Sequence, residues 1–197
     1  MKRFVCLLYL FAFCTAIIAQ NTRWNQETCV YSDFSNGFSW RLPVSDWKLT
    51  SGNEKHTVFK AVEINTNITV FVNINPIETN KSFSEDIFRI YDKMAAMEDQ
   101  LEKQAERVTG QKTIQNHRRK VRFGGKNAIK RRYITELIDD RYPEPIHIIA
   151  YTYTFIYNKA IWSVSLKCHK KVYDLLLHEE NLEFEDIFKG FDFIHIQ

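Results

Sequence analysis

The stretch from His147 to Cys168, HIIAYTYTFIYNKAIWSVSLKC, constrains the fold more than any other part of the chain. Two alternating runs of aromatic and β-branched residues meet at Asn158-Lys159, which predicts a β-hairpin with a two-residue loop. Period-two alternation then puts Tyr157 opposite Ala160, Phe155 opposite Trp162, Tyr153 opposite Val164, Tyr151 opposite Leu166 and Ile149 opposite Cys168 on one side of the ribbon. That side has to be buried. The other side carries Thr152, Thr154, Ser163, Ser165 and Lys167 among fewer apolar groups, and can be wet or lightly covered. The hairpin needs a sheet around it and an apolar layer against its aromatic side.

The remaining segments supply candidates for both. Phe38, Trp40 and Leu42 alternate on one face of a short strand that Pro43 stops. Val58 to Val62 and Ile68 to Ile74 read as further strands, the latter ended by Pro76. The period then changes. Phe83, Ile87, Ile90, Met94, Met97, Leu101 and Val108 recur at three- and four-residue steps between charged positions, which predicts the longest helix of the chain. Ser82 or Ser84 is placed to cap its start, with Glu85 completing a capping box after Ser82, and Gly110 to end it. The two methionines of the stripe read as core filler rather than as a binding groove.

Lys120 to Phe123 is the end of a strand, Gly124-Gly125 a turn, and Ala128 to Leu137 a strand with charges on both faces, as suits an edge or solvent-facing position. Past the hairpin, Val172 to Leu177 and Leu182 to Phe188 suggest short helices. Phe191, Phe193 and Ile196 suggest a final strand or docked tail. The aromatic side of the hairpin is expected to pack on the Phe83 to Val108 stripe or on Phe184, Phe188 and Phe191. Strands, one long helix, more strands and short helices, without repeat or linker, predict one α+β domain over residues 37 to 197. Its mostly antiparallel twisted sheet is covered by helices.

The N-terminus carries Lys2-Arg3, an apolar run from Phe4 to Phe13 and small residues at Ala16 and Ala19, the pattern of a secretory signal peptide over residues 1 to 19. Cleavage after Ala16 or Ala19 fits the small-residue requirement, whereas Phe13 is a poor neighbour for lipidation of Cys14. Residues 20 to 36 lack a clear period and read as a lead-in. No later apolar run approaches the ~20 residues of a membrane helix, so the processed chain is expected to be a soluble protein of the periplasm or extracellular space. Cys29 and Cys168 are then the remaining cysteines. They are candidates for one disulfide in an oxidising compartment, while Cys168 also suits the buried hairpin face as a free thiol.

Loss of Lys2 and Arg3 lowers the formal charge from +3 to +1, so the net charge offers no argument for nucleic acid. The distribution is less even. From Arg107 to Arg132 there are ten Lys or Arg and no acidic residue. Arg118, Arg119, Lys120, Arg122, Lys126, Lys130, Arg131 and Arg132 are candidate contacts for an acidic protein, an anionic glycan or a lipid surface. Aromatics do not interleave with them as a single-strand nucleic-acid platform requires.

Several of these features together resemble the Mog1/PsbP-like α/β/α sandwich, a group that includes small bacterial secreted proteins. They are the strand Gly37-Phe38-Ser39-Trp40-Arg41-Leu42-Pro43 followed by Trp47, the long helix, Phe123-Gly124-Gly125 leading to Ala128, the tyrosine-rich hairpin, and the closing Phe188, Phe191 and Phe193. The resemblance covers about residues 36 to 196. It implies a non-enzymatic binding or accessory role and transfers no functional residue.

Catalytic chemistry is weakly represented. The chain has no GxSxG, HExxH, phosphate-cradling glycine loop or CxxC. His169 and His178, with Glu179 and Glu180, are metal-ligand types at an unfamiliar spacing, so neither a metal nor a cofactor is expected. The alternative to a binding protein is a small hydrolase using Asp139, Asp140 or Glu144 with His147 or His169, which requires a histidine within hydrogen-bond reach of a carboxylate in a pocket. The sequons at Asn67 and Asn80 matter only in a glycosylating pathway, with Asn80 expected to be the more accessible.

Overall fold

A computed structural model describes residues 22–51, 55–77, 86–139, 141–179 and 184–194. The signal-peptide reading, Ser82, Ser84, Asn80, Asp140, Glu180 and Ile196 lie outside these residues. The strands are β1 (Thr22–Asn25), β2 (Val30–Asp33), β3 (Phe38–Arg41), β4 (Trp47–Leu49), β5 (Thr57–Glu63), β6 (Thr69–Pro76), β7 (Lys112–Phe123), β8 (Lys126–Leu137), β9 (Ile146–Tyr157), β10 (Ala160–His169) and β11 (Phe191–Phe193). The α-helices are α1 (Tyr91–Thr109), α2 (Lys170–Glu179) and α3 (Phe184–Lys189), and a 3-10 turn, Ile87–Ile90, leads into α1. Two antiparallel sheets with flanking helices place the chain in the α+β sandwich class.

The chain forms two compact units, one of residues up to Ser45 and from Glu185, the other from Asp46 to Phe184. The first holds the sheet β1-β2-β3-β11. The segment read as a lead-in therefore carries two strands, their apolar residues too sparse to show a period. Trp40 is the centre of this unit. It stacks on Phe188, meets Phe191 edge-on and donates its indole N–H to the Ile187 carbonyl at 2.9 Å. Arg41 N–H donates to the Gly190 carbonyl at 2.9 Å, and any Cβ at position 190 would overlap the Arg41 carbonyl, so only glycine permits this approach.

The second unit is built on a seven-stranded sheet in the order β4-β5-β6-β10-β9-β8-β7. Its middle is the hairpin β9–β10, with all five expected pairs in register. Asn158 and Lys159 both take positive φ, 48° and 55°, as a two-residue hairpin turn requires. Phe155 and Trp162 stack at 5.9 Å, Phe123 from the end of β7 stacks on Tyr153 at 4.4 Å, and Val164, Leu166 and Ile149 are fully buried beside them. Val70 and Val72 of β6 and Phe59 and Ala61 of β5 extend this aromatic face by direct pairing. Tyr173 of α2 and Phe184 cover part of it, each within 6.2 Å of the Tyr151 ring.

Helix α1 lies on the opposite face. Ile87 and Met94 pack on Ile129 and Ile156, with Phe88, Ile90, Tyr91 and Ile161 around them. The long helical stripe therefore does not cover the aromatic side of the hairpin. It lies on the side expected to be wet or lightly covered, and its apolar packing there is confined to its N-terminal end, because Met97, Leu101 and Val108 are 47%, 56% and 77% exposed. Asp86 caps the 3-10 turn by accepting from Phe88 N–H at 3.0 Å. Gly110, at φ 70°, closes α1 by donating to the Glu106 carbonyl at 3.0 Å.

Two further expectations change. β8 is interior, between β7 and β9, and β7 is the edge strand at that end of the sheet, as β4 is at the other. The candidate disulfide is absent: Cys29 and Cys168 are buried free thiols, one in each unit. Each finds backbone acceptors, Cys29 at Gln26 and Ser45 (3.4 and 3.5 Å) and Cys168 at His169 (3.3 Å). Burial, with Asp174 adding to it, pushes the Cys168 thiol up to about 12. Both residues behave as small core side chains.

Candidate functional site

Strand alternation divides the basic segment between the two faces of the sheet. Arg118, Lys120 and Arg122 of β7 share the helix-covered face with Arg131 of β8, while Arg119 shares the aromatic face with Lys130 and Arg132. A run of like charge in sequence is thus two half-runs in space.

Most of the helix-side half is occupied by α1. Arg118 bonds Glu98 at 2.9 Å and Asp99 at 2.7 Å, and Arg131 pairs with Glu102 and lies 3.7 Å from Glu98. Burial pulls the Arg118 guanidinium's pKa down, but its hydrogen bonds to Asp99 and Glu98 outweigh that and hold it above the ordinary value. Lys120 lies over the rings of Phe88 and Tyr91 at 5.5 and 5.1 Å. Arg122 is tied to the Gly125 carbonyl (2.6 Å) and Asn127 (3.1 Å).

On the aromatic side Lys130 is only 5% exposed, 5.7 Å from the rings of both Tyr151 and Tyr153. Arg132 donates to the Tyr151 hydroxyl at 3.0 Å, and Lys126 sits 4.4 Å over Tyr157. Lys130 and Arg131 are therefore part of the packed structure. The exposed members of the set are Arg119, Lys120 and Arg122, flanked by exposed Lys112 and His117, all on β7.

The described carboxylates of the hydrolase alternative, Asp139 and Glu144, pair with cations rather than with His147 or His169. Asp139 is held by Arg141 through Nε and a terminal nitrogen (2.9 and 2.6 Å), and these hydrogen bonds lower its carboxyl to about 2. Glu144 pairs with Lys171 at 3.2 Å. His147 faces Glu136 across the β8–β9 ladder at 3.1 Å, on the sheet rather than in the loop. His169 Nδ1 accepts from Lys171 N–H at 3.2 Å. The buried carboxylates Asp33 and Glu63 clamp their own turns, accepting from Asn36 and Thr66. Among the described residues no three His, Cys, Asp or Glu side chains are grouped to hold a metal ion.

A concave region invisible to the sequence lies on the helix side of the sheet. It is a cavity of about 770 Å³ whose lining includes Phe71, Tyr133, Ile148, Ala150, Lys167 and His169. The ladder aligns Tyr133, Ala150, Lys167 and Thr69 on four successive strands, so the small Ala150 forms a dip between larger neighbours. Gln111 donates to Thr135 at 2.7 Å where this cavity meets a second depression, of about 500 Å³, bordered by Glu98, Glu102 and Arg131. The signal for it was the polar side of the hairpin, readable as a floor only once the four-strand register is known.

No family model and no curated protein matches the chain. Among solved structures, the solution structure of cyanobacterial PsbP (CyanoP) from Synechocystis sp. PCC 6803 superposes with a TM-score of 0.51 at 16% identity, over 83% of this chain and 91% of that one. The crystal structure of LpqN, involved in cell envelope biogenesis of Mycobacterium tuberculosis, superposes with a TM-score of 0.42 at 11% identity, over 81% and 86%. Taken with the antiparallel sheets and flanking helices, the likeness to CyanoP gives this chain a Mog1/PsbP-like fold.

Proposed function

We propose that this is an exported, non-catalytic accessory protein that holds an acidic protein partner along its outermost strand. The observation that carries the reading is β7: twelve residues at the end of the sheet, with exposed Lys112, His117, Arg119, Lys120 and Arg122. An acidic extended segment matches that edge in charge and in strand geometry. The fold shared with CyanoP supports a binding role, and so does the pairing of Asp139 and Glu144 with Arg141 and Lys171 rather than with a histidine. Export rests on the N-terminal pattern of Lys2-Arg3, the apolar run and the small residues at Ala16 and Ala19. Among the described residues no helix is long and apolar enough to cross a membrane.

The test replaces Arg119, Lys120 and Arg122 by serine and leaves Arg118 and Arg131, whose loss would disturb α1. Retention of acidic partners in a pull-down at low salt is expected to fall at least tenfold while the unfolding midpoint stays in place. Unchanged retention overturns the β7 surface and leaves its charges as protection against edge-to-edge pairing. Anionic vesicles or sulfated glycan retained in preference to acidic protein would reassign the partner. Mass spectrometry of the secreted chain should find an N-terminus after Ala16 or Ala19, and retention of residues 1 to 19 would reject export by signal cleavage.

A further inference from the structure

We propose that the cavity on the helix side of the seven-stranded sheet binds a small organic anion with a flat apolar body, the class of an aromatic carboxylate. Three features of the cavity point to that chemistry, and none involves the outer edge of β7.

The first is charge. Lys167 and His169 line the cavity, and among the described residues no Asp or Glu does. Lys167 is exposed, with its ammonium 5.6 Å from the Phe71 ring centre. His169 accepts from Lys171 N–H at Nδ1, which leaves Nε2 as the donor of the ring. The glutamates beside the cavity are engaged: Glu63 accepts from the backbone and hydroxyl of the lining Thr66, and Glu98 and Glu102 of the neighbouring depression pair with Arg118 and Arg131. Among the described residues, an anion in the cavity meets the Lys167 ammonium with no carboxylate in the lining.

The second is shape. Tyr133 on β8 and Phe71 on β6 stand three strand spacings apart, roughly 14 Å, with Ala150 on the strand between Tyr133 and Lys167. Ile148 and Val172 add apolar surface. A body of two fused rings fits over Ala150 with its charged group toward Lys167, and the volume lies within the range of small-molecule sites.

The third is preorganisation. The Arg131 guanidinium lies 4.1 Å over the Tyr133 ring and is itself held by Glu102. Gln111 is fixed to Thr135, and beneath the Phe71 end the hydroxyls of Thr152 and Ser165 satisfy each other at 3.0 Å. The walls are set before a ligand arrives, which reduces the ordering cost of binding.

The experiment titrates the intact protein with 2-naphthoate, with 2-naphthylmethanol as its uncharged counterpart, and with inorganic phosphate as an anion lacking the apolar body, following backbone amides by NMR. Naphthoate should shift Tyr133, Ala150, Lys167 and His169, the alcohol should bind at least tenfold more weakly, and phosphate should leave these amides in place. Lys167→Glu, at an exposed position, should weaken naphthoate at least tenfold with an unchanged amide spectrum elsewhere. Absence of naphthoate binding, equal binding of the alcohol, equal binding of phosphate, or indifference to Lys167→Glu would each overturn the assignment. Serine substitution of Arg119, Lys120 and Arg122 should not affect naphthoate binding, so this site and the β7 surface stand or fall separately.

Discussion

The two faces of the seven-stranded sheet are built by different physics. The aromatic face is closed by ring packing: Phe123, Tyr153, Phe155 and Trp162 stack over Val164, Leu166 and Ile149, and Lys130 is buried among tyrosines. The helix face has a small apolar contact around Met94 and Ile156, then a ladder of ion pairs from Glu98, Asp99 and Glu102 to Arg118 and Arg131, then open sheet. Apolar packing excludes water and fills space. Ion pairs hold a helix above a sheet without filling the region beside it, and so leave a concavity. Stability belongs mainly to the first face, and both proposed binding surfaces lie on the second or at its outer edge.

The largest expected break in this comparison is Phe155→Ala. It removes a fully buried ring at the centre of the aromatic face and should cost about 3 to 5 kcal/mol in urea unfolding. A loss below about 1 kcal/mol would mean that this face is not the main source of stability.

Arg131→Ala should cost less, about 1 to 2 kcal/mol, because its ion pairs with Glu98 and Glu102 are partly solvent-screened. Faster amide exchange should be confined to α1. A double-mutant cycle with Glu102→Ala should show positive coupling, and strict additivity would remove the ion pair from the account.

The cysteine of the aromatic face gives a pH test. With its folded thiol pushed up to about 12, Cys168 should remain the neutral thiol at pH 9, where its unfolded counterpart ionises, and should react with a thiol reagent at least tenfold more slowly than in urea. Folding then favours the protonated form, so its contribution is complete below about pH 9 and is lost as the pH rises toward about 12. Labelling at the unfolded rate would show that this face opens readily.

The smallest effect is expected on the outer side of α1. Serine at Met97, Leu101 and Val108 should each change stability by no more than about 0.5 kcal/mol, since these side chains are largely exposed. A loss of about 2 kcal/mol at any of them would mean that it is covered in solution, a mechanism for large effects that the exposed surface does not supply.

These residues also mark how far the sequence could be read. The hairpin register was legible to the residue, because alternation over Ile149 to Cys168 leaves a single pairing once Asn158-Lys159 is the turn. The long helix was legible as an element but not in its orientation. Apolar periodicity marks a candidate buried face, and here Glu98 and Glu102 face the sheet because Arg118 and Arg131 await them there. The charges of β8 suit an edge or solvent-facing strand, yet the strand is interior because those charges have partners on the neighbouring helix and rings. The basic segment was visible as a run, but its division between two faces depended on pairing with β8. The cavity depended on four strands lying in register, a long-range property that no local window contains.

The proposed docking of acidic protein on the outer edge of β7 is directly measurable. The most direct measurement is an NMR titration of the intact protein with an extended twelve-residue peptide rich in Asp and Glu. Amide shifts should concentrate between Gln115 and Phe123 and be reduced at least tenfold by serine at Arg119, Lys120 and Arg122. Shifts scattered over other lysines, or a response unchanged by the triple substitution, would contradict it.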